Sequence, residues 1–351
     1  MHKYDYSFLK DFRITSKLVS LSNVISETNF KLDLQKKNYP DAFAKLHERA
    51  VVDSTVSSNR IEGVETSEKR IKELFNESAR PFNHDEQEIS GYRDAVVFIS
   101  DHHQDLSISE KTIRKIHEIL MYYTDGSKGK YKTTDNQITA RYEDGSYETV
   151  FSPVKAEETE KNIRELVKAY QNAKSDYEIN PMLLIPCFIV DFLSIHPFSD
   201  GNGRVSRLLT LLMLYNEGYD VGKYISYEKM IEEYKWHYYQ ELNRSQIGWH
   251  ENQNDYSAFI VFHFQILYRC FTEISRRFTV GENDKKLSKK KRIENVLRNT
   301  VIPISKSDIA EALPDVSITT IENTLNQLLK QEKIVKIGSY KDARYIGKEE
   351  I

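Results

Sequence analysis

Residues 196 to 207 read HPFSDGNGRVSR, twelve consecutive positions that hold a histidine, an aspartate, two glycines around an asparagine, and two arginines. Gly201 and Gly203 permit positive φ and let a ligand approach the main chain with no Cβ in the way, and Asn202 tolerates the left-handed region. A helix is predicted to begin around Arg204, so its unpaired N–H groups and positive dipole end face this loop, which makes an anion site. Arg204 and Arg207 share a face near that N-terminus, where the dipole disfavours cations. A strong negative charge between them removes the conflict, and a di- or triphosphate fits better than one carboxylate. Asp200 belongs beside phosphates only if a cation bridges them. Mg2+ binds through one or two carboxylates plus phosphate oxygens, so Asp200 is the candidate metal ligand. His196, at the end of the preceding helix and facing the same loop, has an ordinary pKa near ~6.5 and can take a proton from a hydroxyl at neutral pH. The chemistry is in-line attack of a hydroxyl on phosphorus, with charge stabilised by N–H groups, arginines and Mg2+. Taken singly, a His before Pro is usually structural, a GNG is a turn, and an Arg pair is a solvated helix face. Together the roles complement one another. A Walker loop is excluded, because GxxxxGK[ST] is missing.

Two apolar segments must hold this loop, MLLIPCFIVDFLSI before it and LLTLLMLY after it. Neither spans a bilayer: the first is interrupted by Pro186 and Asp191 and is too short. Most of the remaining chain also reads as helix, with apolar residues at three- and four-residue spacing in ISETNFKLDLQKKN, AFAKLHERAVVDSTVSS, SEKRIKELFNES, HDEQEISGYRDAVVFISDH, SEKTIRKIHEILMYY and AEETEKNIRELVKAY. The exception is TTDNQITARYEDGSYETVF, where Asp144-Gly145 sits between two short β-prone stretches and predicts a hairpin. The chain has 351 residues, 39% hydrophobic and 29% charged, with a net charge of −3. That is ordinary for a globular protein of two or three domains and gives no general case for nucleic acid or membrane binding. The start, MHKYDYSFLKDF, lacks the layout of a signal peptide, and Cys187 and Cys270 lie in apolar segments without metal spacing. Buried, reduced thiols and a cytoplasmic location are expected.

HPFSDGNGRVSR resembles, position for position, the HPFx[D/E]GNGRxxR signature of the Fic family. The resemblance implies transfer of AMP from ATP to a hydroxyl side chain of a target protein, which would make the chain a protein adenylyltransferase. It implies His196 as the base, Asp200 as the Mg2+ ligand, and Gly201, Asn202 and Gly203 as the anion hole. Arg204 and Arg207 would bind the β- and γ-phosphates, and Phe198 would anchor the loop in the core. Similar enzymes carry a β-hairpin flap with a GxYR-like lead-in that docks the target as an added strand. GKYK at 129–132 fits that place, with Lys132 where Arg is common. Tyr238 and Tyr239 resemble a tyrosine pair that borders the adenosine, although an aromatic stripe is more often core packing.

Upstream, STVSSNRIEG at 54–63 resembles the family's inhibitory motif, [S/T]xxxE[G/N]. Ser58 and Glu62 share a helical face, and Gly63 can end the helix in a left-handed cap. Glu62 is expected to pair bidentately with Arg207 in the place of the γ-phosphate, which restrains the enzyme in cis. The same glutamate would also suit a water-positioning role in AMP removal. Removal of AMP, phosphorylation, or transfer from another NTP are the competing readings of this site.

The tail changes character. GENDKKLSKKKR reads as a linker, and beyond it come three short helices and a terminal pair of strands, KIVKI and ARYIG, in the order of a winged helix-turn-helix. Residues 285 to 351 carry fourteen Lys and Arg against nine Asp and Glu, a net +5 that leaves −8 for the rest. DNA binding through Lys330, Lys333, Lys336, Lys341 and Arg344 is the reading from a different class. It is not favoured, because the third helix is nearly uncharged, and docking of a protein suits such a module equally. The expected architecture is therefore mainly α: a helical segment at 1–48, a Fic-type domain at 49–280 with its flap at about 129–153, a linker at 281–291 and a winged-helix domain at 292–351. The expected partners are ATP with Mg2+, a hydroxyl-bearing target protein that includes the chain itself, and a second copy in a homodimer.

Overall fold

The fold is described from a computed structural model covering residues 2–75, 79–141, 147–282, 287–299, 304–338 and 343–347. The chain packs as two compact units, one of residues 1–26 and 46–270, the other of 27–45 and 271–351.

The first unit is built around two buried helices that flank the motif. α7 (Pro181–Ile195) opens with proline in its first turn, and the Asn180 side chain accepts from the Met182 N–H at 2.9 Å. Proline costs nothing there, since the N–H it lacks has no helical partner. The helix is apolar except for Asp191 and Ser194 and is buried from Met182 to Ile195. α8 (Asn202–Asn216) packs beside it and is buried from Arg204 to Tyr215. Phe188, Phe192, Phe198, Leu208 and Leu212 are fully enclosed, each worth roughly 1.5–3 kcal/mol of transfer free energy. α4 (His84–His102) and α5 (Glu110–Leu120) cover α8. Their first turns are capped: Asn83 accepts from the Glu86 N–H and Ser109 from the Thr112 N–H. α6 (Thr159–Lys174) lies on α7. α2 (Pro40–Ile61), α3 (Glu68–Phe75), α9 (Tyr227–Glu233), α10 (Lys235–Gln246) and α11 (Ser257–Glu282) complete the helices up to residue 282, after α1 (Ser16–Asn38).

The predicted hairpin is present. β1 (Ile138–Arg141) pairs antiparallel with β2 (Tyr147–Phe151), with a register shift after Ile138. The Asp144-Gly145 dipeptide lies outside the described residues.

Residues 1–48 do not stand apart as a segment. Polar anchors draw the start of the chain into the first unit: Tyr6 Oη donates to Asp191 at 2.7 Å and Tyr4 Oη to Asn162 at 2.7 Å. His2 stacks on Trp249 at 4.0 Å. Asp191 is fully buried on α7 and also accepts from Trp249 Nε1 and Tyr256 Oη, each at 2.7 Å. Burial pushes its carboxyl up, and these donors oppose that shift.

The second unit contains α12 (Lys289–Asn299), α13 (Lys306–Ala312) and α14 (Ile318–Lys330). They pack on a sheet of order β3-β5-β4, formed by Ile304–Ser305, Arg344–Gly347 and Ile334–Ile337. Ile293, Leu297, Ile309, Leu313, Ile321, Leu325 and Leu328 form its core. Ser317 caps α14 by accepting from Thr320 N–H, and Ser305 with Asp308 forms a capping box on α13. The two-residue strand β3 was not expected. Lys341 and residues 283–286 of the predicted linker lie outside the described residues. No described helix is long and apolar enough to cross a membrane.

Candidate active site

α7 stops at His196, whose backbone takes the left-handed conformation (φ 50°, ψ 62°) while its N–H still bonds the Phe192 carbonyl at 3.0 Å. A β-carbon makes that conformation costly, and such strain gathers at functional sites. Burial, with the neighbouring Lys132 charge, pushes the His196 imidazole down to about 4, so the ring is neutral at pH 7. Among the described residues its buried Nδ1 has no hydrogen-bond partner.

The loop between the helices is stapled from inside. Asn202 Oδ1 accepts from the Phe198 N–H at 2.9 Å, and Asn202 Nδ2 donates to the Phe198 carbonyl at 2.7 Å. This amide is spent on holding the turn, so only its main-chain N–H is left to face an anion. α8 begins at Asn202, two residues before the start predicted near Arg204, with Gly201 (φ 78°) as its N-cap. The Val205 N–H bonds the Gly201 carbonyl at 2.8 Å. The N–H groups of Asn202, Gly203 and Arg204 precede that bond and have no carbonyl four residues back within the helix.

Each motif arginine meets a carboxylate from a distant helix. Arg207, 2% exposed, donates Nη2 to Glu62 Oε1 at 2.7 Å. Its Nε donates to Ser58 Oγ at 2.8 Å and its Nη2 also to the Ser58 carbonyl at 3.0 Å. The expected bidentate Glu62–Arg207 fork is therefore absent. Ser58, one turn back on α2, takes the donor that a second carboxylate oxygen would have used. Glu62 sits one residue past α2, and Gly63 (φ 83°) turns the chain away in the predicted left-handed cap, with the Val64 N–H reaching back to the Asn59 carbonyl at 3.0 Å. The Glu62 carboxylate lies over the start of α8 so closely that a Cβ on Gly203 would collide with Oε1.

Arg204, 3% exposed, donates Nη2 to Glu88 Oε1 at 2.8 Å and to Asp200 Oδ1 at 3.3 Å. Among the described residues its Nε and Nη1, and Arg207 Nη1, are buried with no hydrogen-bond partner. Buried guanidinium N–H groups are costly to leave unsatisfied, and these stand beside the first turn of α8. The set suits an anion with several oxygens. Asp200 is 57% exposed at the mouth of the loop and offers a hard oxygen donor of the kind Mg2+ takes. Among the described residues no three His, Cys, Asp or Glu cluster as a metal cage, so a cation here would complete its shell from phosphate and water.

Tyr238 and Tyr239 meet edge to face at 5.2 Å on α10. Tyr238 is buried against Phe259 and Phe262. Tyr239 is half-buried. Burial pushes both phenols up; the nearby Glu62 charge adds to the shifts and the Arg207 charge opposes them.

Three residues of this site were not picked out from the sequence. Glu88 carried no signal among the acids of HDEQEIS. His117 stood on an apolar face with Ile113, Ile116 and Leu120, where a histidine is usually part of the core. Lys132 stands in the sequence only as a lysine where arginine is common. It is buried, its Nζ donates to the Ile195 carbonyl at 3.1 Å and to Asn136 Oδ1 at 2.8 Å, and its N–H bonds the Pro197 carbonyl at 2.9 Å. It thus caps the C-terminus of α7, where a cation meets the negative end of the dipole, while burial lowers its pKa to about 8.

Residues 107–214 match the model of the Fic/DOC family. A Fido domain-containing protein of Dictyostelium discoideum is 37% identical over 60 residues, which cover 17% of this chain and 42% of that protein. The chain thus matches less than half the length of this curated relative. Among solved structures, a Fic family protein from Desulfovibrio desulfuricans superposes with a TM-score of 0.61 at 21% identity, over 97% of this chain and 98% of the other. A Fic domain-containing signaling protein from Bacteroides thetaiotaomicron gives 0.57 at 21% identity, over 70% and 94%. Fic-1 of C. elegans gives 0.54 at 18% identity, over 76% and 73%. At these identities the structures establish a shared, mainly helical fold. With the motif loop between α7 and α8 inside the matched region, residues 107–214 carry a Fic domain, the part of the chain that matches the Fic/DOC family.

Proposed function

We propose that this protein transfers AMP from ATP to a Ser, Thr or Tyr hydroxyl of a target protein, and that Glu62 restrains it in cis. Fic family members commonly transfer AMP or other nucleotide-derived groups to proteins, which supports the reaction class. The observation that carries the finer reading is the Glu62 carboxylate. An anion already rests on Arg207 and over Gly203 at the start of α8, where free N–H groups and buried arginines make a cradle for phosphate.

In this reading His196, neutral at pH 7, takes the proton of the target hydroxyl as its oxygen attacks the α-phosphorus. The bond from that phosphorus to the bridging oxygen breaks, and pyrophosphate leaves. Arg204, Arg207 and the first N–H groups of α8 hold the polyphosphate and stabilise the charge that develops on it. Asp200 would hold Mg2+, which supplies charge neutralisation on the phosphate oxygens. Tyr238 and Tyr239 would border the nucleoside, and the hairpin β1–β2 would present the hydroxyl. The Glu62 carboxylate competes for the position of the terminal phosphate, so ATP binds in wild type with its α-phosphorus out of line.

The test is labelling from α-phosphate-labelled ATP by Glu62→Gly, with Glu62→Gly/His196→Ala as control and mass spectrometry of the modified residues. Strong labelling by the first and none by the second is expected. Equal labelling by both removes His196 from the mechanism. Label retained from a γ-labelled but not an α-labelled nucleotide replaces AMP transfer by phosphorylation.

A further inference from the structure

His117 is 1% exposed and makes three contacts that converge on the motif loop. Its ring lies flat on Phe198 at 3.7 Å, the planes 1° apart. Its Nδ1 is 3.0 Å from the Gly129 N–H, and its Nε2 is 3.2 Å from the Asp200 carbonyl. An N–H can only donate, so Nδ1 is the acceptor. The ring proton then sits on Nε2 and is given to Asp200. One neutral tautomer satisfies both bonds.

The two partners belong to different parts of the site. Gly129 opens GKYK, the lead-in to the hairpin, and is held a second time by Arg114 Nε, which donates to its carbonyl at 2.7 Å. Asp200 precedes the N-cap of α8, and its carboxylate also accepts from the Gly201 N–H at 2.6 Å. Lys132 ties the far end of the lead-in to Pro197. The loop is thus pinned to the lead-in at Pro197 and, through one imidazole, at Asp200.

We propose that His117 is a positioning residue for the reaction: through its Nε2–H it fixes the Asp200 main chain, and so the carboxylate and the start of α8, relative to His196. This rests on the reading of the site as one for AMP transfer. The bond to Asp200 carries the effect. The bond to Gly129 selects the tautomer, and the stack on Phe198 keeps the ring in plane. Misplacement of a reacting group by a fraction of an ångström to an ångström costs up to about 100-fold in rate.

Three substitutions in the Glu62→Gly chain separate these contacts. His117→Gln can place an amide N–H where Nε2 stands and keeps the donor to Asp200. His117→Asn can place an amide oxygen where Nδ1 stands and keeps the acceptor for Gly129. His117→Phe keeps only the stack. With thermal unfolding confirming folded protein, kcat for AMP transfer is expected to fall about 10- to 100-fold in the Asn and Phe variants, with KM for ATP changing less. The Gln variant should recover most of the loss. Equal losses in Gln and Asn, or an unchanged rate in Phe, overturn the proposal. A readout independent of activity uses ring-nitrogen NMR of the wild-type chain with 15N-labelled histidine. An Nε2–H tautomer at His117 is expected, and an Nδ1–H tautomer overturns the arrangement whatever the enzyme does. If the Glu62→Gly parent labels nothing, the functional reading fails and the NMR result alone decides on His117.

Discussion

Replacing Glu62 should raise activity and lower stability together, and the size of both follows from one contact. Glu62 Oε1 accepts a charge-assisted hydrogen bond from Arg207 Nη2 at 2.7 Å. Bonds to charged groups contribute about 1.5–3 kcal/mol net. Arg207 is buried, but the Glu62 side chain is 31% exposed, and screening by water places the pair in the lower part of that range, about 1.5–2 kcal/mol. If this contact competes with the terminal phosphate, its loss lowers the barrier to productive binding by the same amount. At 1.4 kcal/mol per tenfold, Glu62→Gly should accelerate AMP transfer about 10- to 30-fold. Glu62→Gln keeps the bulk over Gly203 and an oxygen for Arg207 but loses the charge, so it should fall between wild type and the Gly variant. The assay is the initial rate of label transfer from α-labelled ATP across a range of ATP concentrations. The same loss should lower Tm by about 3–8 °C, given 2–4 °C per kcal/mol for a unit of this size. A Gln variant faster than the Gly variant, or a Gly variant no faster than wild type, would refute the reasoning: the carboxylate would then not be competing with phosphate.

Other expectations come from buried groups. The His196 imidazole is held near about 4, so with His196 as base the acid limb of kcat/KM in Glu62→Gly should fall near pH 4 instead of near pH 6.5, with a flat profile between about 5.5 and 7.5; a limb at 6.5 would contradict the burial of this ring. Burial lowers His117 to about 4 and His263 to about 3. The unfolded chain then binds more protons than the native one from about pH 6.5 downward, so each ring makes the native state less stable, by up to about 1.4 kcal/mol per pH unit, as pH falls from 6.5 towards its folded value. Urea unfolding at pH 7 and pH 5 should show the lower midpoint at pH 5, although the raised Asp191 carboxyl offsets part of the change. Glu88→Leu leaves the buried Arg204 with only the exposed Asp200 carboxylate and should cost up to about 3 kcal/mol, whereas Glu88→Leu/Arg204→Met removes the buried pair and should regain most of it. Denaturant midpoints decide, and a double variant no more stable than the single one speaks against a buried pair. Ser58→Ala should cost about 1–3 kcal/mol, because Arg207 Nε loses its acceptor inside the protein.

Local rules were sufficient wherever a residue's role depends on its sequence neighbours. The continuous apolar runs on either side of HPFSDGNGRVSR could only be buried helices, and the glycines, asparagine and arginines between them marked a turn into a helix start. The hairpin and the left-handed stop at Gly63 were legible for the same reason, since turn chemistry is local. The spacing of Ser58 and Glu62 showed a shared helical face, but not how Arg207 would divide its donors between them. That division needed α2 laid across α8, which brings together residues separated by 145 positions. Glu88, His117 and Lys132 were beyond reach. An acid among acids, a histidine on an apolar face and a lysine in a lead-in acquire their roles only from what packs against them. The start of the chain follows the same logic, because Tyr6 becomes an anchor only when α7 presents a buried carboxylate to it. Sequence therefore determined which groups the motif brings together. Tertiary structure decided which groups hold the motif still and which carboxylate occupies it, because those depend on contacts between segments far apart in the chain.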